Sequence, residues 1–290
     1  MKHLICAFTG ILLLSGGFCF ADYEIHKDIA YYAPSEIKSG IQKERGTLDL
    51  LLPEQRNGFA TIIFFHGGGL YDGEKENVQS YLKKEFGSRK DLAIVTPNYR
   101  RYKDVKVVNG TRKLFPAFYQ DAAAAVAWVK KNIAKYGGDP DKIYISGHSG
   151  GGYLALMLIL KKGYLRERKI DPDRDLKACF PISATPGTNS CISQERYGGN
   201  GTEFRADQDS PIFMSTWAKG TLPIILCVEG RSTANHLVGY REGNMLVYAL
   251  LKQCAKYPAV KLHVFEEKTH TSVIAPALQT IRREMMELER

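Results

Sequence analysis

Apolar runs of strand length alternate with stretches of helical spacing from residue 47 to the end of the 290-residue chain. That alternation limits the fold more than any other feature. TLDLLLP (47–53) reads as a strand, and ATIIFFHGGG (60–69) opens as a continuous apolar run of the kind buried on both faces. ENVQSYLKKEFGS (76–88) has helical spacing, LAIVTPNYR (92–100) is a further strand, and FPAFYQDAAAAVAWVKKNIAKYGG (115–138) is an Ala-rich helix closed by Gly137 and Gly138. KIYISG (142–147) is the next strand, with a helix from Tyr153 onward. Strands at 177–184, 222–230 and 260–267 follow, with helices at 244–257 and 275–288. Such a chain predicts a mostly parallel sheet with helices on both faces, and ligands bind beyond the carboxyl ends of its strands. The length suits one large α/β domain, expected over 22–290. Residues 185–220 break the rhythm. They are polar and Gly-rich with scattered aromatics, and they read as a small lid or pocket wall over the strand ends.

Chemistry enters where the strand KIYISG turns into the next helix. Gly147-His148-Ser149-Gly150-Gly151 fits G-x-S-x-G at a strand-to-helix turn, the context a nucleophile elbow requires. Side chains flanking the serine would collide with backbone there, and glycine relieves the crowding. The helix that follows points its N-terminus at any negative charge formed beside Ser149. HGGG (66–69), at the end of an earlier strand, offers bare amides. Gly68 and Gly69, with Gly150, are the candidate donors for a tetrahedral oxyanion.

Serine is a poor nucleophile without a base. Downstream of residue 21 the histidines are His26, His66, His148, His236, His263 and His270. His26 precedes the sheet and His66 sits in the glycine loop as a structural residue. The His148 side chain is expected to project away from the pocket of Ser149, and His263 lies mid-strand. His270, in EEKTHTSV, follows the last strand and stands beyond a carboxyl end, so it is the expected base.

HGGG, GHSGG, NYR (98–100), the helix FYQDAAAAVAWVKKNIAKYGGDPDKI and the terminal HTSV together resemble the α/β-hydrolase carboxylesterases. The nearest branch is the hormone-sensitive-lipase-like and feruloyl-esterase-like (BD-FAE-type) group, and the resemblance spans most of 45–288. It implies the α/β-hydrolase fold and ester hydrolysis through an acyl-serine. Ser149 would be the nucleophile and His270 the proton shuttle, with Gly68, Gly69 and Gly150 around the oxyanion, and no cofactor. It also implies small acyl or aromatic-acid esters as substrates, including esters carried on plant polysaccharide. A serine peptidase of the same fold and a catalytically weakened binding relative share the motif and remain alternatives. One departure concerns the acid that should orient His270. The family usually places it about three residues past strand seven, where this chain has Arg231, Ser232, Thr233 and Ala234. Glu229, at the strand end, is the candidate, with the neutral Asn235 as runner-up and Glu242 farther along. The wrong orienter costs about four decades in rate.

Residues 1–21 have a basic start, an apolar run from Leu4 to Leu14 and small residues before Asp22. They read as a secretory signal peptide cleaved after Ala21. Anchoring through Cys19 ranks lower, because Phe18 is too bulky for a lipoprotein signal. The expected location is secreted or periplasmic. No later segment is apolar for long enough to span a membrane. Loss of Lys2 with the leader takes the formal net charge from +9 to +8. Basic clusters at 99–106, 161–169 and 282–283 are interspersed with acids and read as solvated surface rather than a nucleic-acid site. Cys179, Cys191, Cys227 and Cys254 permit two disulfides in an oxidising compartment, although Cys179 and Cys227 sit in apolar runs where free thiols fit equally well. Metal-ligand spacings such as CxxC or HExxH are absent.

Overall fold

Each buried strand sorts its side chains between two cores, and that sorting builds the molecule. The computed structural model describes residues 23–201, 203–231 and 239–290. The leader (1–21) and Asn235 lie outside the described residues. The strands are β1 (Glu24–Ala30), β2 (Thr47–Leu52), β3 (Phe59–Phe65), β4 (Leu92–Pro97), β5 (Gly138–His148), β6 (Ala178–Ile182), β7 (Ile224–Glu229) and β8 (Val260–Phe265). They form one sheet in the order β1-β2-β4-β3-β5-β6-β7-β8. β2 pairs antiparallel with β1 and β4, and the pairs from β4 to β8 are parallel. With helices on both faces, this is the α/β-hydrolase fold expected above.

The helices are α1 (Gly40–Arg45), α2 (Glu76–Phe86), α3 (Ala117–Asn132), α4 (Gly150–Leu160), α5 (Gly163–Glu167), α6 (Pro172–Asp175), α7 (Ser190–Tyr197), α8 (Pro211–Ser215), α9 (Tyr240–Gln253) and α10 (Ile274–Leu288). Ile63, Phe65, Ile143, Ile145, Ile224 and Leu226 face a core shared with α3, α4 and α9. Their neighbours Ile62, Phe64, Tyr144, Ile225 and Cys227 face a second core under α2 and α10. This is the period of two that strands impose, read on both faces. α4 is buried along its whole length. Such a helix is stable only as a core element, and each of its Leu, Ile and Met side chains contributes about 1.5–3 kcal/mol through burial.

Two expectations need correction, and one open alternative is decided. The basic clusters are largely paired rather than simply solvated. Arg100 forks onto the buried Asp121, Arg101 reaches Asp104 and Glu74, and Lys161 binds Asp209. The four cysteines are all free. Cys179 and Cys227 occupy adjacent strands but point to opposite cores, so no bond can join them. The helix after the elbow begins at Gly150, not Tyr153. Tertiary contacts select glycines there that helix propensity alone disfavours.

The segment 185–220 carries α7 and α8, started by side-chain caps from Asn189 and Ser210. It is fastened to the core. Asp209 is fully buried, accepts from Lys161 Nζ at 2.5 Å and from Arg196, and its carbonyl accepts from Tyr153 Oη at 2.5 Å. Glu195 Oε2 accepts from Tyr102 Oη at 2.7 Å and from the amides of Leu114 and Phe115, each at 3.0 Å.

Candidate active site

Five loops leave the carboxyl edge of the sheet close together, and each contributes one component. After β5 the chain turns so sharply that Ser149 takes φ 57°, ψ −119°, a sparsely populated conformation for a residue with a side chain. Backbone atoms enforce the turn. A Cβ on Gly147 would overlap Gly151, and one on Gly151 would overlap the carbonyls of Phe65 and His66. The Ser149 amide donates to Ile182 O at 2.9 Å and its carbonyl accepts from Tyr153 N at 2.8 Å. The serine therefore begins α4, whose N-terminal dipole favours negative charge.

The loop after β3 lies against this elbow. A Cβ on Gly150 would stand 2.9 Å from the Gly69 nitrogen, and one on Gly67 would stand 3.6 Å from Ser149 Cβ. Gly68 and Gly69 adopt φ +106° and +63°, and their amides donate to no backbone acceptor among the described residues. Gly69 thus lies against Gly150, and the amides of Gly68 and Gly69 are unspent on backbone. His66 is structural, as expected. Its ring stacks on Tyr99 with centroids 4.2 Å apart, and Tyr99 Oη donates to its carbonyl at 2.8 Å.

Glu229 and His270 meet. His270 Nδ1 lies 2.9 Å from Glu229 Oε1, and the carboxylate is 1% exposed. The second oxygen, Oε2, accepts from Ser183 Oγ. Burial opposes ionisation of Glu229, but the hydrogen bonds from His270 and Ser183 outweigh it and hold the carboxyl below its usual range. An ionised partner fixes the proton on Nδ1 of His270 and leaves Nε2 free to accept one. The Tyr240 ring covers the imidazole at 4.1 Å between centroids.

His148 has a contact that the sequence reading did not foresee. Its Nε2 lies 2.7 Å from the His270 carbonyl oxygen and its ring is 4.6 Å from that of His270. It thereby braces the backbone and ring of His270. Burial, with the neighbouring His270, pushes its pKa down to about 4, so it is a neutral donor at ordinary pH. The hydrogen bonds of His270 among the described residues run to Glu229 and His148, and none runs to Ser149 Oγ. Links of that kind often tighten only in the reacting complex.

Ser183 and the support role of His148 were not legible beforehand. The one signal for Ser183 is its place directly after a buried strand next to the strand that carries the acid. His263 pairs with Glu284 at 2.9 Å, away from the site. Glu242 lies in the first turn of α9. Phe118 is buried and Phe115 packs under Arg196. Trp217 is 71% exposed and lines a groove at the far end of α4 with Leu160, Tyr164 and Met214. No cluster of three metal-ligating side chains exists among the described residues, and no helix there is long and apolar enough to cross a membrane.

Comparison with known proteins agrees with this geometry. Residues 48–178 match the BD-FAE family model. The probable isoprenylcysteine alpha-carbonyl methylesterase ICMEL1 of Oryza sativa subsp. japonica is 25% identical over 93% of this chain and 63% of its own length. Arylacetamide deacetylase-like 2 of Homo sapiens is 32% identical over 37% of this chain and 26% of its own. The chain therefore spans less than two thirds of the curated relatives it matches. Among solved structures, a truncated carbohydrate esterase from gut microbiota superposes with a TM-score of 0.68 at 15% identity, covering 92% of this chain and 97% of that one. Esterase B from Lactobacillus rhamnosis superposes with a TM-score of 0.70 at 14% identity, over 92% and 85%. The solved structures share the α/β-hydrolase fold of this chain. Over 48–178 the chain is similar to the BD-FAE family, and its curated relatives are named as esterases and deacetylases.

Proposed function

We propose that the protein is a serine carboxylesterase acting through an acyl-serine on small acyl or aromatic-acid esters. The observation that carries this reading is the pairing of His270 with the buried Glu229, at the strand ends that also carry the elbow serine and the glycine loop. His270 Nε2 takes the proton of Ser149 as Oγ bonds to the ester carbonyl carbon. The oxyanion is held by the amides of Gly68, Gly69 and Gly150. As the tetrahedral adduct collapses, the ester C–O bond breaks and His270 gives its proton to the departing alcohol. Water, deprotonated by His270, then releases the acid and restores the serine. Glu229 stabilises the imidazolium in both halves. Esters carried on polysaccharide are part of the proposal, supported by the carbohydrate esterase among the structural neighbours. So is export directed by residues 1–21, for which a mature protein beginning at Asp22 is the check.

The test is hydrolysis of p-nitrophenyl acetate and butyrate, with fluorophosphonate labelling in parallel. Wild type should hydrolyse both and label on Ser149. Ser149→Ala should abolish both signals, and Glu229→Gln should lower kcat by about four decades. Undiminished turnover by Ser149→Ala would end this reading. Amide cleavage without ester cleavage would move the protein to the peptidases.

A further inference from the structure

The acid of this site stands on the last residue of a strand, two residues or more before the usual place, and it is a glutamate. A glutamate there brings one more rotatable bond than an aspartate, so its carboxylate needs fixing. The neighbouring strand supplies a fixture. Ser183 directly follows β6, is fully buried, and donates its amide to Cys227 O in β7 at 2.8 Å, which carries the β6–β7 pairing one residue further. Its backbone then takes φ +45°, a left-handed conformation that residues with a side chain seldom adopt. That twist delivers the hydroxyl to Glu229 Oε2, while Oε1 serves His270 Nδ1. The two carboxylate oxygens are divided between one positioning donor and one catalytic partner. The titratable groups facing the carboxylate are His270 and, behind it, His148.

We infer that Ser183 is a positioning residue of this catalytic site, its hydroxyl clamping Glu229 so that a strand-end glutamate can orient His270. The inference rests on the esterase reading for its kinetics but not for its structural readout. Two variants separate hydroxyl from backbone. Ser183→Ala removes the hydroxyl and keeps the conformational strain, whereas Ser183→Gly removes the hydroxyl and relieves the strain. Both should lower kcat on p-nitrophenyl acetate by about 10- to 100-fold with KM within about twofold of wild type. The glycine variant should melt no lower than the alanine variant. A merely structural role would leave Ser183→Gly fully active.

The second readout is the low-field proton NMR signal of His270 Nδ1–H. It should appear in wild type and in Ser149→Ala, and move upfield or exchange away in both Ser183 variants. Wild-type kcat together with an unmoved signal in Ser183→Gly would overturn the inference. Inactive wild type, or active Ser149→Ala, would instead sink the esterase reading. The NMR signal alone would then decide whether Ser183 holds Glu229.

Discussion

Ser149, the proposed nucleophile, also carries the strain of the turn. The φ of 57° with ψ of −119° costs about 1–3 kcal/mol for a residue with a Cβ. Glycine accepts that conformation but adds about 0.5–1 kcal/mol of unfolded-state entropy to be lost. Relief should outweigh entropy, so Ser149→Gly is expected to be inactive yet more stable than wild type by about 1 kcal/mol. Urea unfolding of the two proteins checks the sign, and a less stable glycine variant would show that the turn is not strained. At this scale the sequence told half the story. Ser149 and His270 declare themselves through their neighbours and their place after strands. Glu229 was legible only as the nearest carboxylate to an empty window. Ser183 showed only its place after a buried strand, because its role depends on a backbone twist and a cross-strand neighbour that no local pattern encodes.

The element that positions the serine is α4, and its glycines explain why the sequence placed the helix start three residues late. Propensity argues against Gly150, Gly151 and Gly152 in a first turn, but a side chain on Gly151 would enter the carbonyls of Phe65 and His66. Gly151→Ala is therefore expected to destabilise the protein by at least 3 kcal/mol through overpacking, despite the better helix propensity of alanine. Thermal denaturation against Gly163→Ala, whose added Cβ meets nothing within 4 Å, measures the contrast. Equal melting points would refute the crowding argument. β3, β4 and β7 were legible because their apolar runs are continuous and buried, and β8 through the alternation of VKLHVF. β1 was not, since most of its side chains are exposed on an edge strand. The five- and eight-residue helices of 185–220 escaped for another reason: their starts depend on the caps of Asn189 and Ser210 rather than on apolar spacing.

At the scale of the whole molecule, two histidines held neutral make stability depend on pH. Burial pushes the pKa of His66 down to about 4, and that of His148 likewise. In the unfolded chain each takes a proton near the ordinary histidine value of about 6.5. Between those limits the unfolded state binds more protons, so stability rises with pH and is lost as pH falls from about 6.5 toward 4. For fully buried His66 the slope is about 1.4 kcal/mol per pH unit. Guanidinium midpoints at pH 7.5 and 4.5 should show the loss, and His66→Gln should flatten it. An unchanged slope in that variant would remove His66 as the cause. The elbow has a different consequence, for how such a molecule can diversify. The atoms that crowd Gly147 and Gly151 are main-chain atoms, so no second substitution elsewhere can make room for a side chain there. Substitution at the elbow is thereby barred, whereas residues of 185–220 between the anchors Asp209 and Glu195 can change while those anchors stay fixed.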